Sequence, residues 1–177
     1  GFTQEAYAQK MLDEYKQARV PARHVWPQSF DIRDVLYWVN NEAAYGKQAV
    51  YLADANVVAD LPTYEQLVQY KTQGINIVAP PTFALLALDA GGRIVPSEYA
   101  RNAKMASLDI ITWTLERSGI LADGNNGFYY QTFDAAIKSE GDMMQVLDVL
   151  AREVGILGIF SDWPATTTFY ANCAGLR

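Results

Sequence analysis

Five short apolar runs, each preceded by a stretch of helical periodicity, set the pattern of this chain. They are Val25 to Phe30, Gln48 to Leu52, Ile75 to Ala79, Asp109 to Leu115, and a run that opens at Gly155 and closes on Ser161-Asp162-Trp163-Pro164. None alternates apolar with polar residues, which is how a strand covered on both faces reads. Strands of that kind separated by helices pair in parallel through right-handed crossovers, so the expected fold class is α/β. Two architectures stay open, a doubly wound sheet and part of a (β/α)8 barrel. A Rossmann-type sheet wants Gly-x-Gly-x-x-Gly after its first strand, and no strand end here carries it. The barrel reading gains, although five strands fall short of eight and a barrel takes roughly 250 residues, which would put about three strand-helix units before Gly1.

Capping residues mark the intervening helices. Thr3 opens a helix with Tyr7, Met11, Leu12, Tyr15 and Ala18 on one face, ended by Pro21. Asp31 caps a helix carrying Val35, Leu36, Trp38 and Val39 that stops near Gly46, and Thr63-Tyr64-Glu65-Gln66 has capping-box spacing for a helix running to Gly74. After Pro80-Pro81 a long connection passes Gly91-Gly92 to Ser97, which caps a helix ending near Ser107. Asp142 is the expected cap of the helix with Met143, Val146, Leu147, Leu150 and Val154. The loop from Glu116 to about Gly141, rich in Gly, Asn and Tyr, is too long for a mere connector and is predicted to fold over something.

Composition narrows the function. With 177 residues, half of them hydrophobic, the chain can bury a sizeable core and reads as one domain or part of one. A formal net charge of -6 provides no basic stripe to release counterions, so nucleic acid is not an expected partner. One cysteine, Cys173, makes neither an internal disulfide nor a zinc module. No apolar run approaches the roughly 20 residues that span a bilayer, so the chain is not expected to be transmembrane. It begins at Gly1 without a basic-then-apolar leader, which leaves the compartment unknown.

In a barrel the working residues gather at the C-terminal strand ends. Those ends offer Gln28, Ser29, Phe30 and Asp31, then Asp54, then Pro80 and Thr82, then Trp113, Thr114 and Glu116, and finally Ser161, Asp162 and Trp163. A face both polar and aromatic suits a small-molecule pocket. Asp31 as a helix cap and Asp162 as a turn residue stand beside any ligand role. Glu116 opens the long loop, and Arg117 beside it suits a phosphate. His24, the single histidine, starts its strand on the opposite, stability face of a barrel, so a packed or solvated role outweighs a catalytic one. With no other histidine and no close carboxylate pair, the chain is assigned neither catalytic residues nor metal ligands.

Three stretches carry more than architecture: Val25-Trp26-Pro27-Gln28-Ser29-Phe30-Asp31, Ile111-Thr112-Trp113-Thr114-Leu115-Glu116 and Gly158-Ile159-Phe160-Ser161-Asp162-Trp163-Pro164. Their order and approximate spacing are those of glycerophosphodiester phosphodiesterases, and the sequence resembles that family over nearly its whole length. The resemblance implies a TIM (β/α)8 barrel, here a partial barrel covering roughly strands 4 to 8, with residues 1–177 as the C-terminal portion of a single domain. The family's His-Arg-Gly, Glu-x-Asp and Glu-x-Lys motifs, on its first three strands, do not occur before Val25.

For the intact domain the resemblance implies a phosphoric diester hydrolase. It cleaves a glycerophosphodiester to glycerol 3-phosphate and an alcohol, with calcium or magnesium on the phosphate. This chain alone is expected to bind no metal and to be inactive. Carried over by position, Gln28, Ser29 and Phe30 lie beside phosphate or glycerol, and Trp113 forms an apolar wall. Glu116 is a further candidate substrate-binding residue, although Glu116 and Arg117 depart from the commoner polar residues after the Trp-Thr pair. Asp162 is expected to stiffen the closing turn. The implied partners are the small-molecule glycerophosphodiester and the N-terminal part of the barrel, and the setting leans periplasmic or extracellular. Two alternatives stand beside this: a non-catalytic partial barrel that binds a ligand or pairs with another chain, and an unrelated α/β enzyme with fortuitous matches.

Overall fold

The computed structural model describes residues 1–117, 119–124 and 126–176. Helices α1 (Gln4–Gln17), α2 (Ile32–Asn41), α3 (Ala43–Gly46) and α4 (Tyr64–Thr72) alternate with strands β1 (Gln28–Ser29), β2 (Val50–Leu52) and β3 (Ile77–Ala79). A short helix α5 (Thr82–Leu85), strands β4 (Leu86–Leu88) and β5 (Ile94–Pro96), helix α6 (Glu98–Met105) and strand β6 (Asp109–Thr112) follow. Helices α7 (Gly127–Tyr130) and α8 (Asp142–Asp148), strand β7 (Gly158–Ile159) and helix α9 (Pro164–Ala174) complete the chain.

Strands β1, β2, β3, β6 and β7 form one parallel sheet in that order, which never turns back on itself, while β4 and β5 make a separate antiparallel hairpin. All five expected parallel strands are present but shorter than the apolar runs. Val25 to Pro27 precede β1 outside the ladder, and Trp113 to Leu115 follow β6 outside it. The alternation that the apolar runs conceal is plain in the packing. Tyr51, Val78 and Ile110 face the helical layer, whereas Val50, Leu52, Ile77, Ala79, Ile111 and Trp113 form a small cluster on the opposite face. Both faces are apolar, as parallel strands require.

Four caps stand where the sequence places them. Thr3, Asp31, Thr63 and Ser97 each accept a backbone N–H of the first turn, those of Ala6, Arg33, Gln66 and Ala100. Asp142 does not cap its helix. It is the first helical residue, and its carboxylate turns back to accept the N–H groups of Lys138 and Ser139 at 2.7 and 2.8 Å. The buried stripe of α1 is also rotated from the expected one: Ala8 and Leu12 are buried while Tyr7 and Tyr15 are exposed. The reason is Trp38 of α2, whose indole N–H donates to the Ala8 carbonyl at 3.0 Å, a close approach that small Ala8 permits. Gly46 is fixed by a similar approach, since a Cβ there would lie 2.6 Å from the Trp38 carbonyl oxygen.

The connection from Pro81 to Ser97, read as a loop, contains α5 and the β4-β5 hairpin. Its turn is tied by Asp89, which accepts from the N–H groups of Gly91 and Arg93. The long segment after Glu116 does fold over the sheet end. The Tyr130 hydroxyl donates to the Leu115 carbonyl at 2.9 Å, Thr132 donates to that of Phe83, and Gln131 to that of Asn56. Helix α8 continues as a π-helical stretch, Val149–Val154, that ends on Gly155 in the left-handed region. Among the described residues no helix is long and apolar enough to cross a membrane.

Candidate functional site

Because the sheet is parallel, the residues leaving β1, β2, β6 and β7 emerge at one end. There Phe30, Leu52, Trp113 and Phe160 line a cleft of about 330 Å³ together with Gln28 and Tyr129. Trp113 is its fixed wall. The indole N–H donates to the Ala79 carbonyl at 2.8 Å, and Phe128 stacks 6.4 Å away. Phe30 and Tyr129 stand nearly perpendicular to it, at 5.8 and 5.9 Å between ring centres. The Trp113-Thr114 peptide bond is cis.

The polar rim comes from two segments tied together. Thr114 and the N–H of Leu115 both donate to the Phe160 carbonyl, at 3.0 and 3.2 Å. The Glu116 carboxylate accepts from the Ser161 hydroxyl at 2.5 Å and from the Asp162 N–H at 3.0 Å. Arg117 grips Asp162 with both arms, Nε to Oδ2 at 2.5 Å and Nη2 to Oδ1 at 3.0 Å. The Arg117 hydrogen bonds and charge pull the Asp162 carboxyl below the usual aspartate range and keep the guanidinium more firmly protonated. A depressed carboxyl pKa gives a contribution fully present above the unfolded aspartate value and lost as pH falls through the folded one. The pair is solvent-exposed, so the effect on stability is small. The expected result is an Asp162 carboxyl that titrates below its ordinary value by NMR and returns to it in Arg117→Gln; an unmoved titration in that variant would disprove the pairing.

The structure brings Gln28, Phe30 and Trp113 to this one cleft. Ser29 does not line it. Its hydroxyl donates to Asp34 Oδ2 at 2.8 Å and accepts from the Asp31 N–H, beside a neighbouring hollow of about 410 Å³ that Tyr7 and Met11 also line. Glu116 sits next to the cleft, with its carboxylate occupied by the Ser161-Asp162 turn. Asp31 caps α2 and pairs with Arg33. Asp54 lies in a separate hollow of about 130 Å³ with Asp60 and Tyr70, and Thr82 is buried, its hydroxyl donating to the Thr114 carbonyl. Trp163 is exposed at the start of α9, and His24 is exposed in a short 3-10 turn, Ala22–His24, rather than on a strand.

Three lining residues escape the strand-end reading: Leu52, Tyr129 and Phe160. The aromatic triplet Phe128-Tyr129-Tyr130 in the long loop is the signal for the second. Among the described residues no group of three His, Cys, Asp or Glu side chains converges as a metal would need. At the cleft itself Asp162 is engaged by Arg117 and Glu116 by Ser161, so these residues do not fit a divalent cation.

No family model matches the chain. It is similar to a protein described as "Extracellular protein" from Arthroderma benhamiae, 46% identical over 182 residues, with 99% of this chain and 73% of that protein covered. At that identity and coverage, the chain belongs to the family of this Arthroderma benhamiae extracellular protein.

Proposed function

We propose that this chain is the substrate-framing, C-terminal portion of a glycerophosphodiester phosphodiesterase, corresponding to roughly strands 4 to 8 of its barrel. The observation that carries the reading is the meeting of three distant stretches at one cleft: Gln28 and Phe30, Trp113, and the Phe160-Ser161-Asp162 turn. The cleft lies at the C-terminal ends of parallel strands, where barrel enzymes work. A sheet order without reversal supports a barrel arc over a doubly wound sheet, whose order turns back at a switch point.

In this reading the aromatic wall receives the apolar part of the substrate, while the Gln28 amide and Arg117 supply donors to its phosphate. Calcium or magnesium, in the intact domain, would stabilise charge on the phosphoryl oxygens. Its ligands and the acid and base would come from strands that pair with the open edges of β1 and β7. The name of the Arthroderma benhamiae relative supports an extracellular setting. A second reading, a non-catalytic module that pairs with another chain, draws on the hollow beside the open edge of β1, where Tyr7, Met11 and Phe30 stand ready to cover a further strand.

Release of glycerol 3-phosphate from glycerophosphodiesters tests the proposal. The chain alone is expected to release none with calcium or magnesium, and the full-length Arthroderma benhamiae relative to do so in a metal-dependent manner. Alanine at the relative's counterpart of Gln28 should lower its rate at least about 10-fold, the loss of a charge-assisted contact. Turnover by the isolated chain, or none by the full-length relative, would overturn the reading.

A further inference from the structure

We infer that the hollow between the C-terminal end of β2 and helix α4 is a second ligand site, built for a small acyclic polyol of about glycerol's size. The alternation of β2 sets it apart from the cleft. Leu52 lines the cleft, whereas its neighbour Tyr51 faces the helical layer and lines the hollow together with Asp54, Asp60, Gln66 and Tyr70. The hollow measures about 130 Å³, room for a few waters or for one molecule of glycerol's size. Neither its position nor its chemistry depends on the phosphodiesterase reading above.

An unpaired group beside the hollow points to a ligand. Tyr99 belongs to α6, which packs against α4, and its buried hydroxyl has no hydrogen-bond partner among the described residues. Burial raises its pKa, and the phenols of Tyr70 and Tyr51 raise it further, which places the hydroxyl on the side of the two rings that wall the hollow. Those rings stand nearly perpendicular, their centres 5.2 Å apart. A buried hydroxyl without a partner is costly, and a ligand or water reaching it from the hollow removes that cost.

The other lining groups select the ligand. Asp54 is exposed at the rim. Asp60 accepts the N–H groups of Asn56 and Val57 on Oδ2, at 3.0 and 3.2 Å, and keeps Oδ1 for another donor. Gln66 spends its oxygen on the Thr63 N–H at 2.8 Å, so its amide has donors to give. Two carboxylates repel an anion, and a cation, metal or ammonium, accepts nothing from the Gln66 amide. Adjacent hydroxyls both donate and accept: they can give to Asp54 and Asp60 and take from Gln66 and Tyr99. A free polyol and the terminal residue of a glycan share that vicinal diol, and the volume of the hollow favours the three-carbon molecule.

The test titrates the intact chain with glycerol and follows the backbone amides of Asn56, Val57 and Tyr70 by NMR. Saturable shifts are expected there, with glycerol at least about 5-fold tighter than propane-1,3-diol, which lacks the vicinal pair. Asp54→Asn, at an exposed position, is expected to weaken glycerol at least about 10-fold, and Tyr99→Phe, which keeps the ring and the packing, about 5-fold. Absence of saturable shifts, equal affinity for the two alcohols, or unchanged affinity in both variants would overturn the inference. So would shifts centred on the Trp113 indole N–H, which would put the polyol in the cleft. Tighter binding of methyl α-mannopyranoside than of glycerol would overturn the free triol as ligand. Glycerol bound at β2 and α4, with no diester hydrolysed by the full-length relative, would leave this site standing while the phosphodiesterase reading fails.

Discussion

Trp113→Ala is expected to destabilise the chain by about 3 kcal/mol, a typical cost for deleting a packed tryptophan, and so to lower the melting temperature by about 6–12 °C. The ring is the shared neighbour of Phe30, Phe128 and Tyr129, and its removal also takes one of two donors from the buried Ala79 carbonyl, leaving it the Ala53 N–H at 3.0 Å. Trp113→Phe separates the two contributions. It keeps most of the packing and should cost only the hydrogen bond, about 1 kcal/mol. Thermal unfolding followed by circular dichroism measures both, and an alanine variant no less stable than the phenylalanine one would show that the ring does not organise the cleft.

The second large effect is expected from Trp38→Ala. Trp38 is among the largest fully enclosed side chains, and its indole N–H fastens α2 to the backbone of α1. The expected loss is about 4 kcal/mol, or about 8–16 °C in melting temperature. Other hydrogen bonds between the two helices are less enclosed, Gln4 to Asp34 at 2.9 Å and the Tyr37 hydroxyl to Gln9 at 2.7 Å, and the apolar cluster in which Leu12 meets Val35 is built around the Trp38 ring. Limited proteolysis should therefore cut within Gln4–Gln17 in the variant well before the sheet is attacked. Protection of α1 equal to that of the unaltered chain would refute this account of how it is held.

Much of the architecture was legible because it depends on short-range chemistry. Thr3, Asp31, Thr63 and Ser97 begin helices wherever they stand before a periodic stretch, and the apolar runs locate the parallel strands. What escaped depends on partners distant in sequence. Asp142 has the composition of a cap, yet the Lys138 and Ser139 amides compete for its carboxylate and win. Phe83 to Leu88 is apolar throughout, so neither helical nor strand periodicity could divide it into α5 and β4. At the site, the strand-end rule reached Gln28, Phe30 and Trp113 because all three leave parallel strands at one end. It could not see that Ser29, next in the chain to both Gln28 and Phe30, turns toward Asp34, nor that Glu116 spends its carboxylate on Ser161. Tyr129 reaches the cleft only because the long loop is tethered back over Leu115 and Phe83.

The uninterrupted sheet order carries a temporal consequence. Each parallel strand docks on the one that came before it in the sheet, so a nascent chain can extend the array from β1 onward without waiting for distant sequence. Phe160, Ser161 and Asp162 arrive last. A ribosome-bound intermediate halted after Thr112 would already own a four-stranded scaffold but only an unfinished receptor, and ligand capture becomes possible only once β7 and the turn after it have been made.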